Sequence, residues 1–128
     1  MKLLLDTRAF LWWATEDARL SEPAASAITA PENELYLSAA SVWEVAIKSA
    51  LGRLQIAVPL NDFLAAYMAQ YELKDLPILL RHASAVSNLP LHHRDPFDRM
   101  LIAQAQVENM VLLTADRAFM AYDVARLW

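Results

Sequence analysis

The sequence predicts an α/β protein: a parallel sheet with helices on both faces. Three observations lead there. Short apolar runs of strand length alternate with longer stretches of helical periodicity. Hydrophobic residues make up 57% of the chain and charged residues 20%, too apolar for a disordered chain and sufficient for a large core. Across 128 residues there is one glycine, Gly52, and no linker, repeat or low-complexity tract, so residues 1–128 are expected to form a single domain.

Lys2–Leu5 reads as a buried strand and Thr7–Ala14 as a short helix. Ser21 before Glu22-Pro23 marks a helix start, because proline is tolerated in the first turn. Leu35–Leu37 reads as a second strand. Ser41–Ala50 follows as a helix stopped by Gly52, and Leu60–Tyr71 as another after Pro59. Leu76–Leu79 is a third strand that Pro77 restricts to an edge or an end. Arg81–Asn88 is helical, and Leu89–Arg94 is a loop carrying His92 and His93. Pro96–Asn109 is the most regular helix, Met110–Leu113 a fourth strand, and Val124–Trp128 a last extended segment.

Composition excludes several functions. Cysteine is absent, which removes disulfide frameworks, thiolate metal sites and a cysteine nucleophile. Lys and Arg number 11 against 15 Asp and Glu, a formal charge of −4, so a broadly basic nucleic-acid coat is excluded. Asp6 and Arg8 interrupt Met1–Leu5 too early for a secretory signal core, and no uncharged run approaches the roughly 18 residues of a membrane helix. The expectation is a soluble cytoplasmic protein with no membrane contact.

In a parallel sheet, sites form at the carboxyl ends of the strands. Asp6 follows the first strand, Glu44 lies one turn into the helix after Leu35–Leu37, and Asp116 follows the strand ending at Leu113. Asp98 sits in the first turn of the helix that feeds that strand, so sheet geometry alone does not place it with the others. Each acid has a local explanation. Asp6 and Asp116 suit helix caps, Ser41-x-x-Glu44 matches a capping box, and Asp95-Pro96-Phe97-Asp98 has the same grammar. Capping does not require four acids to converge, and convergence is costly. Two carboxylates 5 Å apart repel by about 3 kcal/mol at an effective dielectric near 20. Such a cluster requires protons or a divalent cation, and oxygen donors suit Mg²⁺ or Mn²⁺. These four acids account for the whole formal net charge.

Four segments then stand out together: Leu3-Leu4-Leu5-Asp6-Thr7, Ser41 through Lys48, Arg94 through Ala103 with Asp95-Pro96-Phe97-Asp98-Arg99, and Leu113-Thr114-Ala115-Asp116. In this order and spacing the chain resembles, nearly end to end, the PIN-domain ribonucleases, and among them the VapC-type toxins of bacterial toxin–antitoxin pairs. The resemblance implies a three-layer α/β/α sandwich on a parallel sheet. It also implies a metal-dependent endoribonuclease in which Asp6, Glu44, Asp98 and Asp116 hold one or two Mg²⁺ or Mn²⁺ ions. Thr7 and Thr114 fall where relatives place a hydroxyl near the metal or its water, and Asp95 is kept as a cap. The implied reaction is attack of a metal-activated water on tRNA, ribosomal RNA or another RNA, leaving a 3′-hydroxyl and a 5′-phosphate. A homodimer and a cognate antitoxin are the implied protein partners.

Lys48, four residues after Glu44, suits either a helix ion pair or a substrate phosphate. Arg94, Arg99 and Arg117 are candidates for a basic rim. His92-His93 is discounted as a metal site, because adjacent loop side chains rarely converge on one ion. Trp12, Trp13, Trp43 and Trp128 are assigned to core or interface rather than to base stacking. A receiver or haloacid-dehalogenase-like phosphatase would need acids at positions where Thr7 and Arg8 stand. A non-catalytic PIN-like binding or scaffold module is the alternative reading.

Overall fold

Five segments pair into one parallel sheet in the computed structural model, which describes all 128 residues. They are β1 (Lys2–Leu5), β2 (Glu34–Ser38), β3 (Lys74–Leu76), β4 (Val111–Leu113) and β5 (Arg126–Leu127). Their order across the sheet is β3-β2-β1-β4-β5. The connections hold α1 (Thr7–Ala14), α2 (Glu22–Thr29), α3 (Ala39–Ala50), α4 (Leu60–Tyr71), α5 (Leu80–Ala85) and α6 (Pro96–Glu108). Short 3₁₀ turns cover Val86–Asn88 and Arg117–Ala121.

The unbroken Leu3-Leu4-Leu5 run follows from burial on both faces of a parallel sheet. Side chains alternate along a strand, so Leu3, Leu5 and Leu113 join Ala9, Phe10 and Ile28 in one core layer. Leu4 and Leu112 join Leu101, Ile102 and Phe119 in the other. This is the predicted α/β/α sandwich.

Chain order decides where the cleft lies. After β1 the chain adds β2 and β3 on one side, then crosses back to lay β4 and β5 on the other. Between β1 and β4 the connections diverge, and their carboxyl ends open the crevice characteristic of a topological switch point. The register Leu5↔Leu113 brings both strands to an end side by side, and Asp6 N–H still donates to Leu113 O at 3.1 Å.

Several boundaries differ from expectation. The third strand is Lys74–Leu76 rather than Leu76–Leu79; it stops before Pro77, which cannot donate to a ladder, and it lies at the sheet edge. Arg81–Asn88 splits into α5 and a 3₁₀ turn. The capping box at Ser41 does not form. Strand β2 runs on to Ser38, whose extended backbone and Oγ cap α3 through Ala40 N at 3.0 Å. Ser41 therefore lies inside the helix, buried, with its hydroxyl unpartnered. Ser21 does cap α2, and Gly52 takes φ +71° past the end of α3, the left-handed conformation glycine adopts without strain. No helix is long and apolar enough to cross a membrane.

Candidate active site

Asp6 is the first residue beyond β1 and the N-cap of α1. Its Oδ1 accepts from Ala9 N at 2.7 Å, so the local explanation is correct as far as that oxygen goes. Oδ2 instead accepts from the Thr114 hydroxyl, which reaches across from the end of β4. Thr114 also accepts from Asp116 N at 3.1 Å, so one wholly buried hydroxyl ties the two strand-end acids together. Asp116 Oδ1 caps the following 3₁₀ turn through Ala118 N at 2.9 Å.

Glu44 faces inward from α3 and is buried. Thr7 donates to its Oε1 at 2.7 Å, and Lys48, one turn along, to its Oε2 at 2.5 Å. Asp98 stands in the first turn of α6, whose N-cap is Asp95, bonded to Phe97 N and Asp98 N as expected of a cap. All four acids line a single cleft of about 390 Å³, with Arg8, Lys48 and Arg117 also on its wall. Oxygens of Asp98 and Asp116 lie within 4.8 Å of each other and of a ring nitrogen of His93.

The electrostatics carry the cost of burial first and of neighbouring acids second. Burial pushes the Asp6 carboxyl above its ordinary value, against the hydrogen bonds from Thr114 and Ala9, and the charge of Asp116 adds to the rise. Burial likewise raises Asp98 to about 6, opposed by its bond to His93 and reinforced by Asp95 and Glu44. Lys48 is the one cation paired with a site acid. The donors are carboxylate oxygens, Asp98 Oδ1 and Asp116 Oδ2 have no protein partner, and the surplus charge is negative. Such a set fits a hard divalent cation.

Residues 3–125 match the PIN domain family. The chain belongs to it, as a PIN domain of the VapC type. This PIN domain is 33% identical over 116 residues to Ribonuclease VapC22 of Mycobacterium tuberculosis, covering 90% of the chain and 87% of that protein. Among solved structures it resembles VapBC2 from Rickettsia felis bound to a DNA fragment from its promoter. That likeness has a TM-score of 0.74 at 12% identity, over 99% of this chain and 98% of the other. DNA-bound VapBC from Salmonella typhimurium matches with a TM-score of 0.67 at 15% identity, over 99% and 97%. At such identities the likeness concerns the fold.

The structure corrects two rim assignments, Arg99 and Arg94, and adds two residues to the site, Arg8 and His93. Arg99 of this PIN domain is not at a rim. Its guanidinium is buried among the carbonyls of Val86, Leu89, Pro90 and His93 and the hydroxyl of Tyr122, where it closes the loop before α6. Arg94 is exposed and off the cleft, while Arg8, not singled out from sequence, lines it. The discounted His93 donates from Nε2 to Asp98 Oδ2 at 2.7 Å. The available signal was its position two residues before the cap of α6, from which a side chain can fold back over the first turn. The tryptophans divide. Trp13 packs against Tyr67 and Tyr71, Trp43 is 60% exposed beside Phe97, and Trp12 contacts Trp128 and lines the cleft.

Proposed function

We propose that this chain is a Mg²⁺- or Mn²⁺-dependent endoribonuclease acting as the toxin of a toxin–antitoxin pair. The observation that carries the reading is the meeting of Asp6, Glu44, Asp98 and Asp116, from four separate segments, in one cleft at the switch point of the sheet. The likeness to Ribonuclease VapC22 supports ribonuclease activity, and the likeness to a toxin–antitoxin complex from Klebsiella pneumoniae and to VapBC structures supports an antitoxin partner. The proposed protein works in the cytoplasm, as a homodimer of single-domain chains spanning 1–128.

The four acids would hold one or two ions. When bound, a divalent cation supplies charge stabilisation to the phosphoryl oxygens and acidifies a water. The chain's own contribution is to set the ligands in advance. Asp6 and Asp116 are fixed at the strand ends by Thr114, and Glu44 is fixed by Thr7 and Lys48. Arg8 and Arg117 stand on the wall where they would bind flanking phosphates of an RNA loop, from tRNA or ribosomal RNA.

Two measurements test this. Wild type and Asp6→Asn are expressed in cells and new RNA 5′ ends are mapped; site-selective breaks and growth arrest with wild type alone are expected, and equal toxicity would sink the reading. On purified protein, Mn²⁺ at one hundred times its dissociation constant is expected to add about 2.7 kcal/mol of stability. A 2′,3′-cyclic phosphate on the products would exclude hydrolysis by an activated water.

A further inference from the structure

Asp98 is held differently from the other acids. Asp6 and Glu44 each accept two hydrogen bonds, and Asp116 accepts one from an amide of its own turn. Asp98 has a single donor, the imidazole of His93, from a loop outside its helix. Without that donor, no hydrogen bond from the protein reaches the carboxylate.

The loop is built to aim the ring. Tyr122, beyond β4, accepts from His93 N at 2.8 Å and donates to Pro90 O at 2.9 Å. The buried Arg99 guanidinium bonds the same Pro90 carbonyl at 2.9 Å and the Tyr122 hydroxyl at 3.2 Å. The ring stands edge-on to Phe119, with centroids 6.2 Å apart. Backbone and ring are thus both set before anything binds. Nε2 must carry a proton to donate to a carboxylate, so that nitrogen has no lone pair for a cation in this arrangement. Carboxylates that bind ions are commonly oriented by such outer hydrogen bonds, whose loss weakens ion binding about 10–100-fold.

We propose that His93 is a positioning residue for Asp98, and that the cation affinity of the cleft depends on this imidazole although it is not itself a ligand. The inference rests on the cation site proposed above. The ring pre-sets the one site acid whose only donor is a side chain from outside its own turn, so the ion meets an ordered carboxylate rather than ordering it on arrival.

Mn²⁺ binding is measured by titration calorimetry, and Mg²⁺ by competition, on wild type, Asp98→Asn, His93→Ala, His93→Gln and His92→Ala. His93→Ala is expected to weaken Mn²⁺ and Mg²⁺ alike, by about 10–100-fold. His93→Gln, whose amide N–H reaches a comparable position, is expected to restore most of the affinity. The exposed His92, whose ring faces Tyr122, is expected to be dispensable. Wild-type affinity in His93→Ala would overturn the proposal. So would equal weakness of the Ala and Gln variants toward Mn²⁺ with Mg²⁺ spared, because that pattern marks a direct nitrogen ligand. If His93→Ala does not fold, the Gln variant decides: near-wild-type affinity supports positioning and a large loss overturns it. Absence of Mn²⁺ binding in wild type would instead overturn the cation site itself, an outcome distinct from an unaffected His93→Ala.

Discussion

The two walls of the cleft are built on different principles. On the strand side, Asp6 and Asp116 leave adjacent parallel strands, and a fully buried threonine hydroxyl bonds to both residues. On the helix side, Glu44 and Asp98 project from α3 and α6; each is held by a side chain with one foot in solvent, Lys48 or His93, and only Glu44 has a buried donor as well, Thr7. The strand wall shares the rigidity of the sheet. The helix wall depends on side-chain rotamers, so damage there should alter ligand binding before it alters folding. That contrast can be broken or sharpened by mutation.

The largest effect is expected from Asp6→Asn. Losing several kcal/mol of cation-borne charge stabilisation corresponds to at least about a hundredfold in rate. Asparagine caps a helix about as well as aspartate, and it removes a buried charge that the protein accommodates poorly. Cleavage should therefore collapse while the melting temperature in the absence of metal stays level or rises. A large drop in melting temperature would mean that the carboxylate is structural.

Thr114→Val should act in the opposite sense, through folding. It is close to isosteric but leaves the Asp116 amide without its acceptor and Asp6 Oδ2 without its donor. A loss of about 1–3 kcal/mol in urea unfolding is expected. Thr7→Val should cost less, because Glu44 keeps Lys48.

A third test lies away from the cleft. Hydrogen bonds from His82 and Arg81 hold the Glu108 carboxyl below its ordinary range. A group depressed in the folded state stabilises the protein above its unfolded value, about 4.3, and the contribution fades as pH falls through the folded value. Glu108→Gln should lower the melting temperature at neutral pH and flatten its decline below about pH 4.3. Cation binding should be unchanged. A further stability test is Lys48→Met, which removes the half-exposed partner of the buried Glu44 and leaves that carboxylate to Thr7 alone, so a measurable loss in urea unfolding is expected. If Lys48 also meets a substrate phosphate, KM and the salt dependence of cleavage should change more than stability does.

The sequence by itself determined most of the strands and helices, though not the span of the edge strand, because leucine runs, caps and periodicity are local quantities. It also determined that Asp6 and Asp116 leave strand ends, since residues after a parallel strand emerge at its carboxyl edge. The motifs singled out all four acids, but local grammar misread several details, of which two are instructive. Ser41 looked like a cap because nothing in its own segment revealed that β2 extends to Ser38 and starts α3 early. Arg99 looked like a surface cation because its five acceptors include carbonyls and a hydroxyl that only folding gathers.

Tertiary structure alone decided that Asp98 joins acids from the other end of the chain, and that His93 turns onto it. The strand order settles the first, by returning β4 to the far side of β1 so that α6 begins over the cleft. The second follows from bonds between a loop and Tyr122, 29 residues further on, a separation across which no sequence periodicity operates.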